Sequence, residues 1–303
     1  MFPIIPANSA TAAAGQGNDE GIFGGVVDYS GVTNLISNAG VVASDVAGVG
    51  TGRRSMAACE YGGDKGIFGY GNDSSIDVSI TNLVSNAGVV ASDQAATTGN
   101  PRRALAACSY DGDKGIFGFG IEFPGGIGTT GITNLVSNAG VVASDTAAVG
   151  TGRTLPAACE YDGDKGIFGG GDGVSYTNLV SNAGVVASDV AVVGTARYGQ
   201  AACGYGGDKG IFGYGHGGGY RNITNLVSNV GVVSSDVAGV GTARQELGCT
   251  QYGEDKGIFG YGYAPAPVTS VTITNLVSNA GVVASDVAGV GTARQSLAAC
   301  SFN

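Results

Sequence analysis

Apolar residues fall along this chain in short runs, and no stretch of useful length keeps the 3.6-residue period of a helix. Written from Thr177, one unit reads TNLVSNAGVVASDVAVVGTARYGQAACGYGGDKGIFGYG, followed by a short variable insert. TNLVS and VVASD flank an Asn-Ala-Gly or Asn-Val-Gly turn, while LAACxY and KGIFGYG flank a Gly-Gly-Asp or similar turn. β-rich runs separated by small residues able to take positive φ are hairpin signals, so each unit predicts four strands. TNL begins at Thr33, Thr81, Thr133, Thr177, Thr224 and Thr274, at spacings of 48, 52, 44, 47 and 50 residues.

Four strands at that period match the blade of a β-propeller. The run GTARYGQAACGYGGDKGIFGYG resembles the kelch repeat: an Arg in the linker, small and apolar residues in the innermost strand, a turn, then an apolar strand ending in Gly. The resemblance covers residues 18–303. It departs at the Gly pair, here Gly-Tyr-Gly, and at the outer-strand Trp, replaced by Val in GVVASD. The wording of the repeat is also similar to Gly-rich repeats in structural proteins of tailed phages.

The ends of the chain complete the pattern. TARQSLAACSFN at the C-terminus is an innermost strand with no second strand after it. GNDEGIFGG near the start is a second strand with no first. The expected fold is therefore all-β: a six-bladed β-propeller of four-stranded blades, closed by pairing the C-terminal innermost strand with the N-terminal second strand. Such a clasp leaves no open sheet edge. Residues 1–17 precede the fold as an extended arm, in which Phe2, Ile4 and Ile5 lie around Pro3 and Pro6 as an attachment element.

Composition narrows the function. Gly is 57 of 303 residues and Pro only 7, as many tight turns between strands require. A net charge of −10 argues against nucleic acid or an anionic membrane as partner, and no apolar run is long enough to span a bilayer. MFPIIPANSATAAAGQG has no Lys or Arg before its apolar residues and is a poor secretory signal.

Each repeat carries a linker Arg (Arg53, Arg102, Arg153, Arg197, Arg244, Arg294) and an Asp (Asp45, Asp93, Asp145, Asp189, Asp236, Asp286) eight or nine residues before it. They read either as an anion-binding ring or as ties holding each linker to carboxylates and carbonyls; their sixfold recurrence favours the tie. Cys59, Cys108, Cys159, Cys203 and Cys300 lie six residues after their Arg, but Cys249 lies five after Arg244. One step turns a strand side chain to the opposite face, so the six read as buried free thiols, neither a metal or redox ring nor disulfides, with adjacent blades expected to hold them too far apart for an S–S bond. The Asp of each Asp-Lys pair caps its own turn, and one carboxylate per turn is too few for calcium.

His216 is the single histidine, too few for a copper centre of the galactose-oxidase kind found among kelch-like propellers. No catalytic set, cofactor or metal is expected. The inserts after GIFGxG vary from copy to copy and share a face with the Arg linkers. Loops on a rigid scaffold are the usual place for recognition, and Phe123, Tyr176, His216, Tyr220, Arg221 and Tyr263 carry that chemistry. The expectation is a non-enzymatic structural or adhesion component of a phage virion (tail, fibre or capsid-decorating), assembled in the host cytoplasm. Its partners are other virion chains, met through the arm, and a cell-surface glycan or protein. The alternatives are a carbohydrate-binding lectin propeller or a kelch-type interaction scaffold at the cell surface or outside the cell.

Overall fold

In a computed structural model of the chain, residues 19–302 are described except 26–28, 30, 96, 98, 123–127, 192–193 and 266–267. The arm with Phe2, Ile4 and Ile5, and Phe123, lie outside the described residues. Among those described there is no helix, and the protein is all-β. Six antiparallel sheets repeat one arrangement in which a first, a middle and a third strand lie side by side.

Sheet 1 is Ala57–Tyr61, Lys65–Gly69 and Thr81–Val84. Sheet 2 is Ala106–Tyr110, Lys114–Gly118 and Thr133–Val136. Sheet 3 is Ala157–Tyr161, Lys165–Gly169 and Tyr176–Val180. Sheet 4 is Ala201–Tyr205, Lys209–Gly213 and Thr224–Val227. Sheet 5 is Gly248–Tyr252, Lys256–Gly260 and Thr274–Val277. Sheet 6 joins both regions of the chain: C-terminal Ala298–Phe302 pairs with Glu20–Gly24, from Glu20↔Phe302 to Gly24↔Ala298, and Glu20–Gly24 pairs with Thr33–Ile36.

The Gly-Ile-Phe-Gly core of every middle strand is a pair of holes beside a pair of knobs. All six Ile side chains are fully buried, as are the Phe side chains to within 3%. A large apolar side chain so buried contributes about 1.5–3 kcal/mol. The two glycines leave room for the neighbouring sheets. A Cβ on Gly66 would lie 2.5 Å from Cys300 Sγ of sheet 6, and one on Gly69 would lie 2.7 Å from the Phe117 ring of sheet 2. Each sheet thus receives a phenyl ring from the sheet after it, and from the sheet before it a thiol in sheets 1–5 and the Thr250 methyl in sheet 6. No other residue fits both positions, which is why the motif recurs so nearly unchanged.

First strands pack on one another in the order of the sheets, and Ala298–Phe302 packs in turn on Ala57–Tyr61. At one end of these strands a chain of backbone hydrogen bonds follows the same order. Ala104 N–H donates to Ser55 O, Leu155 to Ala104, Gly199 to Leu155, Glu246 to Gly199, Ser296 to Glu246, and Ser55 back to Ser296, at 2.7–3.1 Å. All six residues hold φ between 51° and 61°. Five of them are not glycine, and such backbone persists only where its surroundings over-determine it.

The fourth segment of each unit differs from expectation. Among the described residues only sheet 3 has a fourth strand, Val190–Ala191, in a sheet of four. Elsewhere the segment touches the third strand at isolated bridges, such as Ile36↔Val42 and Thr33↔Val46. Four steps on one side oppose three on the other, which is a β-bulge. An asparagine fills the gap: Asn34 Nδ2 donates to Ala43 O and to Asp45 Oδ1, both at 2.9 Å. A side chain here does the work of a backbone ladder, so a strand pattern in VVASD gives a bulged edge. The preceding turn is as expected, with Gly40 at φ 74° and its N–H on Ser37 O at 2.8 Å.

Candidate recognition face

The linker arginines come first, because they fix the face on which the variable loops stand. All six are buried, at 0–2% exposure. Each donates from Nη2 to the third-strand Asn of the sheet it enters: Arg53 to Asn82, Arg102 to Asn134, Arg153 to Asn178, Arg197 to Asn225, Arg244 to Asn275 and Arg294 to Asn34. That Asn holds the Asp of the bulge, which accepts in turn from the linker, as when Thr292 N–H and Oγ1 donate to Asp45 Oδ2 at 3.0 and 2.6 Å. Partial burial pushes the Asp45 carboxyl up, but the Thr292 and Asn34 bonds and the Arg294 charge outweigh it and hold it below its ordinary value. Asp93, Asp189, Asp236 and Asp286 are lowered in the same way.

Four of the guanidinium groups also lie over a ring from the preceding sheet: Arg102 over Tyr70, Arg153 over Phe119, Arg244 over Tyr214 and Arg294 over Tyr261, at 4.0–4.4 Å. The two exceptions are informative. Gly170 and Gly25 replace the aromatic residue before Arg197 and Arg53. Gln200 and Met56 fill the vacated space, 2.3 and 2.9 Å from where a Cβ would stand. These arginines are consumed inside the fold.

The inserts stand beside the linkers, as backbone bridges Arg54↔Asn72, Arg103↔Ile121, Tyr198↔His216 and Gln245↔Tyr263 place them. Two inserts form small hairpins of their own, Ile121–Glu122 with Gly128–Thr129 and Tyr263–Pro265 with Val268–Ser270. On sheets 4 and 5 the structure brings together His216, Tyr220 and Tyr263. His216 lies 5.2 Å from Tyr220 edge-on, and Tyr220 lies 6.2 Å from Tyr263. Tyr198, which sequence reasoning missed, stands 5.1 Å from His216. All four are half-buried. Its signal was available: Tyr198 follows a linker Arg where the other repeats have Arg, Thr or Gln.

His216 Nδ1 is buried and has no hydrogen-bond partner among the described residues. Partial desolvation, then Tyr263, Tyr198 and Glu246, raise the Tyr220 phenol above its ordinary value. Arg221 turns back on its own loop, with Nε and Nη2 donating to Gly217 O at 3.0 and 2.7 Å. Tyr176 stands apart, pairing with Ala191 in sheet 3.

The opposite face carries the short hairpin turns. The side chains of the Asp-Lys turns of sheets 1–5 bond within their unit, as Lys165 to Asp164 at 2.9 Å and Asn182 to Asp164 at 3.2 Å, while their backbones reach the next unit, as Asp111 N–H to Asp164 O at 2.7 Å. Between the first strands lies a cavity of about 50 Å³, lined by Glu60, Glu160, Gln251 and the cysteines among others. Burial raises the Glu160 carboxyl despite a 2.8 Å bond from Ser109 Oγ. Among the described residues no cluster of three His, Cys, Asp or Glu is placed to hold a metal ion. Compared with known proteins, the chain matches no family model, and no curated protein matches it in sequence.

Proposed function

We propose that the six sheets are the blades of a closed, kelch-like β-propeller that serves as a non-enzymatic structural or adhesion component of a particle such as a phage virion. One observation carries this reading. The buried linker Arg makes the same Nη2 bond to a third-strand Asn in all six units, whereas the loops beside the linkers differ from unit to unit in length and sequence. A scaffold that spends its arginines and carboxylates on holding itself together leaves its loops for recognition. The cyclic order of hydrogen bonds from Ser55 to Ser296 supports closure, as does the sheet shared by Glu20–Gly24 and Ala298–Phe302. The particle assignment rests on the similarity of the repeat to Gly-rich phage repeats, and the arm 1–17 is the attachment element in this reading.

A second reading, a carbohydrate-binding propeller, is favoured by the half-exposed rings of Tyr198, His216, Tyr220 and Tyr263. Aromatic faces beside polar tips suit a sugar ring. Two variants separate the readings: a chain lacking residues 2–15, and a chain with Tyr220→Ala and Tyr263→Ala. Co-purification with the parent particle falls in the first if the arm attaches the protein. Binding on a glycan array falls in the second if the rings recognise sugar. Loss of neither overturns both.

A further inference from the structure

The register of one strand sets two thiols face to face. Cys59, Cys108, Cys159, Cys203 and Cys300 each pair with the Ile of their middle strand, as Cys203↔Ile211. Each points forward onto a glycine of the next sheet; a Cβ on Gly257 of sheet 5 would lie 2.7 Å from Cys203 Sγ. In sheet 5 the forward position belongs to Thr250, which pairs with Ile258 and lies against Gly21. Cys249 pairs with Phe259 instead. Its side chain is therefore on the other face, turned back towards sheet 4.

Cys203 and Cys249 share one buried cluster with Ala201, Leu247 and Phe259. Cys59, Cys108, Cys159 and Cys300 each sit in a cluster holding no second cysteine. Both thiols line the cavity between the first strands.

We propose that Cys203 and Cys249 are an oxidation site, a thiol pair that a small two-electron oxidant converts to a disulfide joining sheets 4 and 5. With hydrogen peroxide, one sulfur attacks a peroxide oxygen and the O–O bond breaks. The departing hydroxide takes the thiol proton, leaving a sulfenic acid and one water. The second sulfur attacks the sulfenic sulfur, forming the S–S bond, and the expelled hydroxide takes the second thiol proton as another water. Burial raises the Cys249 thiol well above its ordinary value, so reaction is slow at neutral pH and quickens as pH rises. Sheets 4 and 5 are the two that carry Tyr198, His216, Tyr220 and Tyr263. The bond fixes Tyr198, His216 and Tyr220 of sheet 4 relative to Tyr263 of sheet 5.

The test treats the full chain with hydrogen peroxide at about pH 8.5, then unfolds it, counts thiols and measures the intact mass. The native chain goes from six thiols to four and loses two hydrogens, dithiothreitol reverses both, and digestion gives a Cys203–Cys249 linked peptide. A chain with Cys249→Ala and Thr250→Cys, which restores the common register at an unchanged thiol number, forms no disulfide. Cys249→Ala alone serves if that chain does not fold, and it keeps its remaining thiols. Retention of six thiols by the native chain, oxygen adducts in place of a disulfide, or equal cross-linking in the register-restored chain overturns the proposal.

Discussion

Replacing Phe302 by Ala tests whether the two ends of the chain are held together by packing. Phe302 is fully buried in the last strand, opposite Glu20. It sits in a cluster with Ile22, Phe68, Val84 and Cys300, so its neighbours come from sheets 1 and 6. Its ring tip lies 2.8 Å from where a Cβ would stand on Gly88, in the outer turn of sheet 1. Truncating a buried Phe to Ala costs about 3–5 kcal/mol, the upper part applying where a cavity cannot collapse. Gly88 offers no side chain to relax into the gap. For a domain of this size each kcal/mol moves Tm by about 2–4 °C, so a fall of roughly 6–20 °C is expected in calorimetry. Val41→Ala is the control, because Val41 is 65% exposed and its loss moves stability by at most about 0.5 kcal/mol. A Phe302→Ala chain that melts within about 2 °C of the native one refutes the reasoning.

Two further outcomes follow from the packing and the charges. Gly170→Tyr alone places a Cβ 2.3 Å from Gln200 Nε2 and destabilises by about 1–3 kcal/mol, whereas adding Gln200→Leu recreates the Tyr214–Leu247 arrangement and restores stability; an additive double-mutant cycle in urea would count against it. Asp45, Asp93, Asp189, Asp236 and Asp286 have folded pKa values below the ordinary 3.8, so their stabilisation is complete above that value and is lost as pH falls through the lowered ones. Tm should hold between about pH 7 and 5 and drop below about pH 4; a flat profile down to about pH 2.5 contradicts this.

Much of the architecture was legible because period and turn chemistry act locally. The Asn-Ala-Gly turns announced their hairpins, and the severed copy of KGIFG at Glu20–Gly24 announced its partner at Ala298–Phe302. VVASD misled for an equally local reason. Its β-branched residues favour strand, but Asn34 and its equivalents insert an amide where a ladder would continue, and an asparagine inside a strand pattern carries no mark of that role. The recognition face was legible only in part. His216, Tyr220 and Tyr263 were identifiable as aromatic and polar residues in variable loops. That they meet, that Tyr198 joins them and that Tyr176 does not depend on which loops the sheets bring side by side.

The departures from the repeat explain more than the repeat does. Gly170 comes with Gln200 and Gly25 with Met56, each substitute filling the space of a missing ring from the neighbouring sheet. Gln251 reaches over Gly204, its Nε2 2.1 Å from where a Cβ would be, while Glu60 and Glu160 accept from Ser301 and Ser109 of the sheets before them. In all five cases the matching change lies in the adjacent sheet, never within the same one. If the copies were interchangeable, such changes would have no fixed partner. Each unit is therefore fitted to its position in the order, and exchanging two of them would set Gln200 against a tyrosine or strand Gln251 without its glycine. The Cys249–Thr250 inversion belongs to the same class, since it alters the contact of sheet 5 with both neighbours at once. A departure that places two thiols in one cluster is thus part of how sheets 4 and 5 are matched, in the same place where the loops gather their aromatic rings.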